Sequence, residues 1–112
     1  MAVDQTQLKT LQDIIGKETL QKVQRSYIED SEPKLSALGD AIETEDFATI
    51  EQLSHSLKSA SSNLALSGVA EVFAQLEALA TQQQTSQLAA LYQAAQTSYH
   101  QEVAELDALL NN

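Results

Sequence analysis

The stretch Leu88-Ala89-Ala90-Leu91-Tyr92-Gln93-Ala94-Ala95-Gln96-Thr97-Ser98-Tyr99-His100-Gln101-Glu102-Val103-Ala104-Glu105-Leu106-Asp107-Ala108-Leu109-Leu110 decides the fold. Leu88, Leu91, Tyr92, Ala95, Tyr99, Val103, Leu106 and Leu110 recur in steps of three and four, with one adjacent pair. That is the period of a single helix face. A long amphipathic helix of this kind must bury its stripe against other elements, and the rest of the chain supplies helices for it.

Working back from Leu88, Gln82-Gln83-Gln84-Thr85-Ser86 reads as a polar connection. Before it, Val69, Val72, Phe73, Leu76 and Leu79 form the stripe of a fourth helix, and Ser67-Gly68 marks a tight turn ahead of it. A third helix is expected from Phe47 to about Leu66, with Asp46 as N-cap and an inward stripe of Ile50, Leu53, Leu57 and Leu64. The polar link Glu43-Thr44-Glu45-Asp46 separates it from a long second helix, roughly Lys17 to Thr44, carrying Leu20, Val23, Tyr27, Leu35, Leu38 and Ile42. Pro33 removes one backbone donor there, but the stripe resumes in phase beyond it. A kink is therefore expected rather than an end, with a break near Ser31 as the alternative. A short first helix runs from about Asp4 to Ile15, with Asp4 and Gln7 placed as a capping box, Leu8, Leu11 and Ile15 as its stripe, and Gly16 as its stop.

Connections this short make successive helices antiparallel. The expectation is an all-α protein: an antiparallel up-and-down four-helix bundle with a short additional N-terminal helix across one end. Alanine, leucine, glutamine and glutamate dominate the composition, and all favour helix. The 112 residues fit one domain spanning 1–112.

A net charge of −10 disfavours nucleic acid and anionic membranes as partners. The absence of cysteine excludes disulfide and thiolate chemistry. Met1-Ala2-Val3-Asp4 lacks the pattern of a signal peptide, and no apolar run approaches the roughly 20 residues of a membrane span. A cytoplasmic protein is expected.

The chemistry concentrates at His55-Ser56-Leu57-Lys58-Ser59-Ala60-Ser61-Ser62-Asn63-Leu64. Lys58 is the only lysine or arginine from Leu35 to the C-terminus, and the window Gln52–Ala70 contains no acidic residue. With Leu57 at the centre of the buried stripe and about 100° of turn per residue, His55 lies about 160° away, on the solvent side. Lys58 and Ser59 flank it one turn later, and Ser62 follows a turn beyond. An imidazole with histidine's ordinary pKa of about 6.5 is mostly neutral near pH 7, and a neutral ring nitrogen is a nucleophile. A phosphoryl group brings nearly two negative charges, which an ammonium and hydroxyl donors stabilise and nearby carboxylates would oppose. The plainer reading is that His55 and Lys58 are solvated surface and that small residues such as Ala60 and Ser61 let two helices pack closely. That accounts for the inward residues and does less for Ser59 and Ser62.

This segment resembles the histidine phosphotransfer (HPt) domain of multistep phosphorelays. The motif His-x-Leu-Lys-Gly-Ser-x-x-x-Leu-Gly is met by His55, Leu57 and Lys58, then by Ser59 and Ala60, and finally by Leu64 and Ala65. Leu76-Glu77 matches a pair in the following helix, Pro33 lies among acidic residues in the long helix, and Glu45-Asp46 precedes the helix that bears the histidine. Both motif glycines are replaced, by Ser59 and Ala65. The resemblance implies that His55 accepts a phosphoryl group on Nε2 from a receiver-domain aspartate and passes it to another, relaying between the receiver domains of a hybrid sensor kinase and a response regulator. It implies that Lys58 steadies the phosphate with Ser59 and Ser62 nearby, that Glu77 orients the imidazole, and that Leu11, Ile15 and Tyr27 contribute to docking. The chain itself would need no cofactor, magnesium being supplied by the receiver, and would act as a monomer.

An independent enzyme is not expected, because no glycine-rich phosphate loop, HExxH or nucleophile elbow is present. His100 lacks the following Leu-Lys and reads as surface. The rival function is a non-catalytic adaptor bundle that binds partner helices, with His55 incidental.

Overall fold

A computed structural model describes residues 3–111; Met1 and Ala2, on which part of the N-terminal reading fell, and Asn112 lie outside the described residues. The described residues form five helices and no strand: α1 (Gln5–Ile15), α2 (Lys17–Glu43), α3 (Phe47–Asn63), α4 (Ser67–Thr81) and α5 (Leu88–Leu110). Helices α2, α3, α4 and α5 pack in cyclic order, each backbone running close to its two neighbours and farther from the helix diagonally opposite. That is the expected up-and-down bundle. No described helix is long and apolar enough to cross a membrane.

The caps follow side-chain chemistry. Asp4 Oδ1 accepts from Gln7 N at 3.1 Å, and Asp46 Oδ1 accepts from Thr49 N at 3.3 Å, so each satisfies an orphan donor of a first turn. Gly16 adopts φ +87°, a backbone state open to glycine, and turns the chain from α1 into α2. Helix α1 lies over the end of the bundle where α3 passes into α4. Asp4 N donates to Ala65 O at 2.7 Å, Gln7 Nε2 donates to Ser62 O at 2.9 Å, and Leu8 is buried.

Helix α2 passes through Pro33 unbroken. Ser31, where a break was the alternative, is buried and hydrogen-bonds Tyr99 Oη of α5 at 2.7 Å. The α2 stripe departs from the expectation near its start, and at its end Ala41 is buried while Ile42 is half-buried. Val23 is 39% exposed, and Gln24 takes the inward place, its Nε2 donating to Asp107 Oδ1 at 3.0 Å. The true stripe, Leu20-Gln24-Tyr27-Ser31-Leu35-Leu38-Ala41, hides two polar residues whose partners sit on α5, so hydropathy alone misplaces it.

The turn between α3 and α4 is also displaced. It falls at Leu64–Leu66, with α3 ending at Asn63 and Ser67-Gly68 forming the first turn of α4. Ala65 holds φ +65°, which costs a residue with a Cβ about 1–2 kcal/mol. Leu64, Ala65 and Leu66 are all buried, and Leu66 N donates back to Ser61 O at 2.9 Å. An apolar turn of this kind carries none of the usual polar turn signals.

Candidate functional site

His55 sits midway along α3, whose buried residues are Ile50, Ser54, Leu57 and Ser61. The helical phase set by those residues turns the imidazole outward, and its side chain is 61% exposed. Across the groove, α4 presents Glu77 on its half-buried flank. Glu77 Oε2 lies 2.9 Å from His55 Nδ1, and Glu77 Oε1 lies 2.6 Å from Lys58 Nζ. One carboxylate therefore grips both residues that the sequence places one turn apart.

Glu77 titrates below the usual carboxylate range. The Lys58 hydrogen bond is the largest cause; partial burial opposes it, and the His55 hydrogen bond adds to it. At neutral pH Glu77 is an acceptor only, so the proton of the contact belongs to Nδ1. That leaves the lone pair on Nε2, the ring nitrogen Glu77 does not hold. The surface is therefore not free of carboxylates, as the local window implied. The acid-free run holds along α3 alone, and Glu77 enters from the neighbouring helix.

Ser59 and Ser62 are exposed, as expected, and neither hydroxyl is hydrogen-bonded to His55, Lys58 or Glu77. Ser62 shares a shallow cleft with Lys58, Gln7, Ser67 and Glu71. Leu11 and Ile15 are half-buried against the core. Tyr27 is not at the surface: it is 6% exposed, its Oη bonds Ser61 Oγ at 2.7 Å, and its ring lies 6.0 Å from that of Tyr99. Burial raises its phenol above the ordinary range. Tyr27 occupies a stripe position of α2 and holds α2 to α3, so it offers no ring to a docking partner. The exposed apolar residue of α1 is Ile14, whose departure from the Leu8-Leu11-Ile15 stripe was the available signal. His100 is exposed and forms a T-shaped pair with Tyr99, at 5.4 Å between ring centres.

Sequence reasoning missed Lys34. Its Nζ donates to Ser56 Oγ at 2.9 Å, beside His55 in the chain, and to Asp30 Oδ2 at 3.0 Å. From Ser26 onward Lys34 and Lys58 are the only lysines or arginines. A count begun at Leu35 passes Lys34 by one residue.

An antiparallel helical bundle that exposes one imidazole beside a lysine and a carboxylate defines a class that known proteins can be set against. Residues 22–112 match the family described as Hpt domain, and the chain belongs to that family. Its members are phosphocarriers rather than kinases. No curated protein matches the sequence. Among solved structures, histidine-containing phosphotransfer protein B (HptB) from Pseudomonas aeruginosa PAO1 superposes with a TM-score of 0.83 at 24% identity, covering 97% of this chain and 90% of that one. At that identity the likeness establishes the shared fold.

Proposed function

We propose that this chain relays a phosphoryl group between receiver-domain aspartates through phospho-His55. The observation that carries the reading is the contact of His55 Nδ1 with Glu77 at 2.9 Å on an imidazole otherwise open to solvent. The neutral ring, with its proton on Nδ1, attacks the phosphorus of an incoming aspartyl phosphate through Nε2. The N–P bond forms, the acyl O–P bond breaks, and its electron pair returns to the leaving carboxylate. The ring then carries the positive charge, with Nδ1–H still facing Glu77. No proton has to leave during transfer, and the reverse step runs through the same geometry. Lys58 is a cation within reach of the transferred group, and Ser59 and Ser62 leave room for a partner's active site. The partner supplies magnesium. The partners are receiver domains of a hybrid sensor kinase and of a response regulator, met by a single copy of this chain in the cytoplasm.

The test is incubation with a phosphorylated receiver domain. Acid-labile, base-stable phosphate is expected on the wild-type chain. It is expected to be absent from His55→Gln, with the helical circular-dichroism signal unchanged. Labelling that survives in His55→Gln contradicts the proposal.

A further inference from the structure

We infer that Lys34 is a second phosphoryl-binding cation of this site, reaching it from α2 while Lys58 remains tied to Glu77. The inference rests on the proposed phosphorylation of His55. On α3, Ser56 lies about 100° to one side of the Leu57 centre line and Lys58 about 100° to the other, with His55 on the outer face between them. Lys58 occupies the α4 flank and Lys34, through its 2.9 Å contact with Ser56 Oγ, occupies the α2 flank. The chain places no other lysine or arginine after Arg25, and these two bracket the outer face of α3 that carries His55, Lys58 through Glu77 on one flank and Lys34 through Ser56 on the other.

The two lysines are held very differently. Lys58 makes a 2.6 Å contact with Glu77, whose side chain is only 22% exposed and is fixed from the other side by His55. Their charges largely cancel at a distance, so Lys58 contributes short contacts through its remaining ammonium donors, while the longer-range attraction to a phosphoryl group of nearly two negative charges falls to Lys34. Lys34 is paired with Asp30, which is 62% exposed and one turn away on the same helix. Exposed pairs of this spacing contribute little and are screened by salt. Lys34 can therefore exchange Asp30 for a phosphoryl oxygen at small cost, without disturbing the contact that orients His55.

The experiment uses phosphoramidate as donor, which removes receiver docking from the measurement. His55 Nε2 attacks phosphorus, the P–N bond of phosphoramidate breaks, and ammonia leaves on its already protonated nitrogen. Labelling rates are followed for the wild type, Lys34→Gln, Lys34→Arg and His55→Gln from low to high salt. Lys34→Gln is expected to label three- to tenfold more slowly at low salt, with a flatter salt dependence, and Lys34→Arg to restore both. Wild-type rates and salt dependence in Lys34→Gln overturn the inference while leaving phosphorylation of His55 standing. A slower rate with unchanged salt dependence and no rescue by arginine makes Lys34 a packing residue and also overturns it. Persistent labelling of His55→Gln instead removes the functional reading beneath it.

Discussion

Glu77 on α4 lies 2.9 Å from the imidazole of His55 on α3 and donates nothing to it. An ionised carboxylate can only accept, so the contact assigns the ring proton to Nδ1 and the reactive lone pair to Nε2. Its other oxygen, 2.6 Å from Lys58, keeps it ionised.

Replacing Glu77 by glutamine tests this assignment. The amide no longer requires a donor at Nδ1, so the ring is expected to populate both neutral tautomers. Long-range proton–nitrogen NMR of His55 should show predominantly Nδ1–H in the wild type and a mixture in Glu77→Gln. Phosphoryl transfer from a receiver should slow in parallel. Identical nitrogen shifts in the two proteins would mean that Glu77 does not select the tautomer.

Lys58→Ala is expected to slow transfer by roughly tenfold, about 1.4 kcal/mol, since one charge-assisted contact to the phosphoryl group is lost. The check is the single-turnover rate at fixed receiver concentration. An unchanged rate would make Lys58 a holder of Glu77 and nothing more.

Two carboxylates give opposite pH signatures. The folded-state pKa of Glu77 is lowered from 4.5, so its stabilisation is present above that value and is lost as pH falls through the folded-state pKa. Glu102 is raised from 4.5, chiefly because it is buried: it is 1% exposed, accepts from Gly68 N at 3.1 Å and has no partner for Oε2 among the described residues. Its contribution runs the other way, largest below pH 4.5 and declining as pH rises through its folded-state pKa. Urea midpoints between pH 3 and pH 7 should therefore lose part of their acid limb in Glu77→Gln. In Glu102→Gln they should lose part of their decline toward neutral pH. Parallel pH curves for the wild type and both variants would contradict these assignments.

Gly39→Ala is expected to destabilise the bundle by about 1–3 kcal/mol through overpacking. A Cβ at this position would stand 2.6 Å from Tyr92 Oη and 2.8 Å from Cζ, and Tyr92 is anchored by its hydrogen bond to Leu35 O at 2.8 Å. Chemical denaturation reads the effect. A loss below about 0.5 kcal/mol would mean that the ring moves aside freely.

What the sequence discloses depends on whether its signals are local. The five helices were legible because Leu88 to Leu110 and the other stripes repeat at helical period, and because Asp4 and Asp46 are chemically suited to cap. His55 was legible as exposed because the phase of Ile50 and Leu57 decides it. Gln24 and Ser31 were not legible as buried polar positions, because their partners Asp107 and Tyr99 lie on another helix; Tyr27 was legible as a stripe residue, but not its bond to Ser61, which removes it from the docking surface. The turn at Ala65 was hidden by its own apolar residues, which face the core rather than solvent. Glu77 reaches the histidine, and Lys34 its neighbour Ser56, each through a contact spanning 22 residues of chain. The family resemblance placed Glu77 near the site, while nothing local placed Lys34 there.

The most direct measurement is the position of the phosphoryl group after transfer from a phosphorylated receiver, read by phosphorus–nitrogen NMR on the intact chain. The account predicts a single phosphohistidine, at residue 55, with phosphorus bonded to Nε2. Phosphorus on Nδ1 of His55, on His100 or on no histidine would contradict it.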